Sequence, residues 1–182
     1  GAGVIVGDRL LTGSRGFAGE VGHMVLQLNG PRCSCGRRGC AEALIATRAM
    51  LHGSGDEAAL RSLAEVRVHL VDEDAETLKA VNSAGRYLGV LLQNLATAYD
   101  PACIVLGGSV VELGEPFLKP ALDTLLDYAA AASLPQPSVR TSMFGANAVA
   151  VGAAALARYR LTRPALPLAD SGAITADAEE TA

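Results

Sequence analysis

Residues 20–42 read EVGHMVLQLNGPRCSCGRRGCAE, and three of the chain's four cysteines fall inside this stretch. His23 is followed by Cys33, Cys35 and Cys40 in a run broken by Gly30, Pro31, Gly36 and Gly39. Three thiolates and one imidazole make a complete tetrahedral zinc set. A complete set leaves no position for a reactive water, so the reading is of a structural metal. The glycines let a short loop turn back tightly enough for the three cysteines to converge. Glu20 and Glu42 flank the cluster and are not both needed as spare ligands; they read as groups that the loop holds in place. Disulfide or redox chemistry is the competing use of these thiols. The fourth cysteine, Cys103, lies in the apolar run Ala102-Cys103-Ile104-Val105-Leu106, a context that predicts a buried free thiol acting as a small hydrophobe.

Around this stretch the chain of 182 residues is long enough for one substantial core. Half of its residues are hydrophobic, yet only 4% are aromatic and tryptophan is absent, so the core is expected to be aliphatic. The net charge of −4 lacks the basic footprint of a nucleic-acid-binding surface. Arg37-Arg38 reads as the solvated tip of the cysteine loop, in keeping with the surface bias of arginine. No apolar run is long enough to span a bilayer and no signal-peptide pattern is visible, so the expected location is cytoplasmic and no membrane partner is expected. The chain opens directly in Gly1-Ala2-Gly3-Val4-Ile5-Val6 without an initiator methionine, which reads as the second half of a longer protein.

Strand and helix signals alternate along the chain, which points to an α/β layered domain. Val4–Val6 and Leu10–Thr12 flank Gly7-Asp8-Arg9 as a short hairpin. Gly13 to Gly19 is a polar loop, and Val21 to Leu28 reads as a strand with Glu20 and His23 near its start. Ala41 to Leu51 reads as a helix with Glu42 in its first turn, where a carboxylate faces the positive end of the helix dipole. A second helix is expected over 56–70 with Asp56 as its cap. Leu78, Val81, Gly85, Leu88, Leu92, Leu95 and Tyr99 step by threes and fours, which predicts a long helix ending near Asp100-Pro101. Its apolar face is expected to pack against the sheet; a dimer interface is the sharper alternative. Ala102–Leu106 reads as a buried strand, a helix starts near Glu115, Val139–Met143 reads as a strand, and Ala148–Tyr159 as a helix. From residue 163 onward the pattern stops, so the division expected is a lobe at 1–162 and a mobile tail at 163–182. His52 and His69 have no partners at ligand spacing. Thr12 and Ser14 have no base to activate them, and no hydrolytic constellation is visible.

The run Gly19-Glu20-Val21-Gly22-His23, followed by Cys33-x-Cys35-Gly36-x-x-Gly39-Cys40-x-Glu42, closely resembles the signature of the ROK family of sugar-responsive repressors and sugar kinases. The resemblance continues through Ile104-Val105-Leu106-Gly107-Gly108-Ser109 to Gly145-Ala146-Asn147 and Gly152-Ala153-Ala154-Ala155, covering about residues 1–160. It implies the C-terminal lobe of the actin-like, ribonuclease-H-like ATPase fold with an inserted zinc loop. It also implies that Glu20, His23 and Glu42 contact a sugar while His23, Cys33, Cys35 and Cys40 hold Zn2+. Carboxylates suit sugar hydroxyls because charge-assisted hydrogen bonds are the stronger kind. For Glu42 the plain alternative is a carboxylate that only starts a helix.

Gly107 and Gly108 resemble the adenosine-side motif of the family's kinases, although Ser109 stands where those kinases commonly carry a third glycine. Ser109 and the continuation Val110-Val111-Glu112-Leu113-Gly114-Glu115-Pro116 resemble the repressor members. The expected function is therefore the sugar-sensing C-terminal portion of a ROK-type transcriptional regulator. It would be a homo-oligomer that reaches DNA only through a module outside these residues. An ATP-dependent sugar kinase fragment is the alternative, and ATP is expected only in that case. The catalytic aspartate and first phosphate loop of the kinases have no counterpart in these residues. An orphaned lobe with an interaction role is the third reading.

Overall fold

The computed structural model describes residues 1–51 and 62–162. The chain divides into two compact units, Gly1–Ala148 and Val149–Ala182. The first opens with a hairpin of β1 (Ile5–Val6) and β2 (Arg9–Leu10), paired antiparallel. Gly7 and Asp8 join the strands with φ of 54° and 59°, the left-handed backbone that a two-residue hairpin turn needs. A 3-10 turn at Val21–His23 and the cysteine loop lead into α1 (Ala41–Ile45) and α2 (Thr47–Leu51).

Helix α3 (Leu63–Val71) starts at Ser62, whose hydroxyl accepts from the Glu65 N–H at 3.2 Å. Helix α4 (Ala75–Tyr99) is capped by Asp74, whose carboxylate accepts from the Thr77 N–H at 2.7 Å. It ends at Asp100, which turns left-handed at φ 43° just ahead of Pro101. Strand β3 (Cys103–Leu106) then passes through a 3-10 helix at Ser109–Leu113 into α5 (Glu115–Ala131), with Pro116 in its first turn. Strand β4 (Ser138–Thr141) returns parallel to β3, in register from Cys103↔Ser138 to Leu106↔Thr141. Helix α5 is thus the crossover that a parallel pair requires, and this β–α–β unit gives the chain its α/β character. The described residues of the second unit belong to α6 (Ala148–Thr162). His52, Asp56 and the expected tail 163–182 lie outside the described residues.

Two clusters of buried side chains share α4. Val81 and Ala84 of α4 pack with Met50, Val66, Leu113 and Phe117. Further along the same helix, Leu91 packs with Val21 and Ala41, and Ala2, Leu26, Ile45 and Leu95 close around them. The apolar stripe of α4 therefore packs inward over its middle, while its ends, Leu78 and Tyr99, stay exposed.

Several boundaries differ from the sequence reading. Val21–Leu28 is not a strand: the His23 and Met24 N–H groups bond back to Glu20 and Val21 in the 3-10 turn, and the Leu26 and Gln27 N–H groups both go to the Gly39 carbonyl. The cysteine loop thus takes the donors that a ladder would need, and only the single bridge Val25↔Cys40 remains. The helix expected over 41–51 breaks at Ala46, whose ψ of 161° is extended. The break lets Ala41 face one cluster and Met50 the other. Cys103 is exposed rather than buried. Side chains alternate along a strand, and among the described residues only the Ile104 and Leu106 face of β3 is partly covered. Gly107-Gly108 runs first into the 3-10 helix, and α5 begins at Glu115, where the sequence reading puts it.

Helix α4 meets α5 through glycine. A Cβ at Gly85 would lie 2.4 Å from the Phe117 carbonyl oxygen, and one at Gly89 would lie 2.5 Å from that of Ala121. Helix propensity alone makes Gly→Ala stabilising by about 1 kcal/mol. Here the new methyl meets backbone that cannot swing aside, so Gly89→Ala is expected to destabilise the protein by about 1–3 kcal/mol. Urea denaturation of the full-length protein measures this, and a stabilised Gly89→Ala variant would show that the two helices are not pressed together at this point.

Candidate functional site

The cysteine loop is built by backbone hydrogen bonds before any metal is considered. The Cys33 N–H bonds to the Arg37 carbonyl at 2.8 Å, and the Gly36 N–H to that of Cys33 at 3.1 Å, closing the tip. The Gly39 N–H bonds to Pro31 at 2.8 Å, while the Gly39 carbonyl accepts from Leu26 at 2.8 Å and from Gln27 at 3.2 Å. Gly39 is required twice over. Its φ is +69°, and a Cβ there would fall 1.5 Å from the Gln27 carbonyl oxygen. The Ala41 N–H bonds to Met24 at 2.8 Å, which ties the end of the loop to the segment after His23. From α4, the Tyr87 hydroxyl donates to Gln27 at 2.9 Å and anchors the loop's base.

These bonds bring His23, Cys33, Cys35 and Cys40 together, with all four ligand atoms within 4.8 Å of one another. Cys33 Sγ lies 3.7 Å from His23 Nδ1, and Cys35 Sγ lies 3.6 Å from Cys40 Sγ. Zinc bonds of ~2.3 Å to sulfur and ~2.1 Å to nitrogen span tetrahedral edges of about 3.6–3.8 Å, so both separations fit. A disulfide requires about 2.05 Å, and all four cysteines are free. The donor set therefore suits zinc, and it is the one such His/Cys cluster among the described residues.

Cys33 and Cys40 are buried and Cys35 is exposed. The backbone and side chain of Arg37 donate to Cys35 and hold its thiol down at about 6, whereas burial pushes Cys40 up to about 11, aided by the neighbouring thiols. A metal at this place would replace the Cys40 proton, since the ligand form of cysteine is the thiolate.

Glu20 precedes the 3-10 turn, its carbonyl accepting from the His23 N–H at 3.1 Å, and it is exposed. Glu42 stands in the first turn of α1, directly after Cys40-Ala41. Its Oε2 is 4.0 Å from His23 Nδ1, and its Oε1 accepts from the Ser34 hydroxyl at 2.9 Å. Nδ1 of His23 lies between Cys33 Sγ at 3.7 Å and Glu42 Oε2 at 4.0 Å. Ser34 carried no signal in the sequence: it is the unassigned position of Cys-x-Cys, and only the fold shows its bond to Glu42. Gly107 and Gly108 line a separate cleft of about 300 Å3 with Leu106, Val111, Glu112 and Ser142. Thr12 and Ser14 lie in the exposed loop after the hairpin.

Comparison with known proteins places the chain among its relatives. The chain is 39% identical over 114 residues to the xylose repressor of Bacillus spizizenii, covering 62% of this chain and 29% of the repressor. It is 34% identical over 110 residues to N-acetylmannosamine kinase of Escherichia coli, covering 60% of this chain and 38% of the kinase. Among solved structures, the ROK hexokinase from Thermus thermophilus superposes with a TM-score of 0.78 at 34% identity, over 88% of this chain and 54% of that one. The ROK family glucokinase from Streptomyces griseus, in complex with glucose and AMPPNP, superposes with a TM-score of 0.75 at 26% identity, over 86% and 56%. The chain thus spans little over half of these structures and well under half of the curated relatives. It shares the α/β, actin-like fold of the ROK sugar kinases. The family model for the ROK family matches residues 1–160, and the chain belongs to that family.

Proposed function

We propose that residues 1–162 are the sugar-sensing C-terminal portion of a ROK-type transcriptional regulator, with a structural zinc held by His23, Cys33, Cys35 and Cys40. The observation that carries this reading is the convergence of those four ligand atoms within 4.8 Å, with the Glu42 carboxylate 4.0 Å from His23. Zinc fixes the loop, and the loop presents Glu20, His23 and Glu42 to the hydroxyls of a sugar. Carboxylates held in advance lose little conformational freedom on binding. The sugar then acts as a signal by binding one arrangement of the full-length protein better than another. The xylose repressor likeness and the Ser109–Pro116 segment support the regulatory reading. DNA contact belongs to a module outside these residues, and the working unit is a cytoplasmic homo-oligomer. Among the described residues, no helix is long and apolar enough to cross a membrane.

A sugar kinase is the second reading, favoured by the hexokinase and glucokinase superpositions and by the cleft beside Gly107 and Gly108, which would face the adenosine of ATP. Phosphoryl transfer rests on positioned phosphate-binding and base residues. Assay of the full-length protein for ATP-dependent sugar phosphorylation separates the two. Sugar binding without turnover supports the regulator, and turnover at kinase rates replaces it with the kinase.

Metal analysis of the purified protein is expected to find about one zinc per chain, and Cys35→Ser is expected to lose it, because a closed four-ligand set does not tolerate loss of a thiolate. A stoichiometric Cys35–Cys40 disulfide in metal-free native protein would refute this.

Glu20→Ala and Glu42→Ala are each expected to weaken sugar binding about tenfold or more, the loss of a charged hydrogen bond of roughly 1.5–3 kcal/mol. Zinc content should stay at the wild-type level, because the ligands are untouched. Calorimetric titration of the full-length protein with D-glucose, D-xylose and N-acetyl-D-mannosamine tests it. Unchanged affinity with zinc still bound moves the sugar elsewhere.

A further inference from the structure

We propose that Ser34 is a positioning residue for Glu42: its hydroxyl, carried between two cysteines of the metal cluster, orients the carboxylate that receives the sugar. The proposal deepens the sugar-site reading and rests on it. Ser34 is the single residue between Cys33 and Cys35. Once both thiolates are fixed, its backbone has little freedom of its own, and a group hung from such a place can orient a neighbour as outer partners orient metal ligands.

The hydroxyl has one proton and two possible acceptors. Cys33 Sγ lies 3.9 Å away, whereas Glu42 Oε1 lies 2.9 Å away. The short, charge-assisted partner is the carboxylate. The Cys33 thiol also reaches that same oxygen, at 4.0 Å; as a metal-bound thiolate it would have no proton to donate, which leaves the serine as the donor. Oε2 meanwhile faces His23 Nδ1 at 4.0 Å. Oε1 is thus approached by Ser34 and Cys33 and Oε2 by His23; with Cys33 serving as a metal ligand, Ser34 is the one that would still have a proton to donate to Oε1.

That restraint matters because Glu42 has little else to hold it. Its side chain is 45% exposed and stands on a helix of only five residues. A glutamate in such a place otherwise samples many rotamers, and ordering them opposes binding. Ser34, Glu42, Cys33, Pro31, Arg32 and Arg48 are among the residues lining a cleft of about 280 Å3. The carboxylate that Ser34 fixes thus borders space that a ligand can enter, with lone pairs left for its hydroxyls.

The test is calorimetric titration of the full-length protein with D-glucose, D-xylose and N-acetyl-D-mannosamine, taking the tightest binder forward to Ser34→Ala, Ser34→Thr and Glu42→Gln. Ser34→Ala is expected to weaken binding about fivefold, and Ser34→Thr, which keeps the hydroxyl, to stay within about twofold of wild type. Zinc content and unfolding temperature should be unchanged in both, which a merely structural role for Ser34 would not allow. Wild-type affinity in Ser34→Ala, alongside weakened binding in Glu42→Gln, overturns the proposal alone. So does a Ser34→Thr variant as weak as Ser34→Ala. Loss of zinc from Ser34→Ala overturns it too, by showing that the serine serves the loop. Binding unmoved by Glu42→Gln, or no binding of any of the three sugars, overturns the sugar-site reading and the proposal together.

Discussion

The contact of α4 with α5 through Gly85 and Gly89 is the constraint on which the rest of the first unit depends. Where a side chain would stand, the Phe117 and Ala121 carbonyls stand instead. Close backbone approach of this kind lets the neighbouring side chains interlock to the density of a protein interior. Both buried clusters hang from α4: one through Val81 and Ala84, the other through Leu91. The second cluster includes Val21 and Ala41, which bracket the cysteine loop. The base on which the loop sits is thus continuous with the packing of the two longest helices of that unit.

The cysteine loop itself combines two kinds of order. Hydrogen bonds from Leu26, Gln27 and Gly39 shape the turn, and four ligand atoms gathered within 4.8 Å offer a metal a nearly finished site. A metal in such a set would stabilise the folded loop by binding it and not the unfolded chain. Cys40 serves both sides. It is a member of the cluster and also the residue from which α1 starts, two positions ahead of Glu42. Movement of the metal ligands therefore moves the helix start, and with it the carboxylate. On the proposed reading, this linkage lets a structural metal hold a recognition carboxylate in place.

Much of the fold was legible in the sequence because its signals are local. The hairpin turn, the period of α4, Pro116 in the first turn of α5 and the apolar run of β3 each act over a few residues; the elements stand close to where the pattern puts them, with the second hairpin strand at Arg9–Leu10 where Leu10–Thr12 was expected. What failed had its cause at a distance. Val21–Leu28 has the composition of a strand, but Gly39 takes two of its donors. The break at Ala46 follows from the need to serve two clusters at once. Cys103 looked buried because a short apolar run does not say how many of its faces are covered.

For the site the division is similar. By itself the sequence determined the chemistry: one imidazole and three thiolates at zinc-binding spacing, glycines where the loop must turn left-handed, and two flanking carboxylates. Residue type and spacing suffice for that, because a ligand set is defined by which atoms are offered within one short loop. Only the tertiary structure decided the geometry around it. It turned Nδ1 of His23 toward Cys33, put Oε2 of Glu42 beside that nitrogen, bonded Ser34 to its other oxygen, and set Gly107 and Gly108 in a cleft of their own. Those relations depend on how α1 docks against the loop and on α4 beneath both. Docking is the sum of many weak contacts between residues far apart in the chain, so no local pattern carries it.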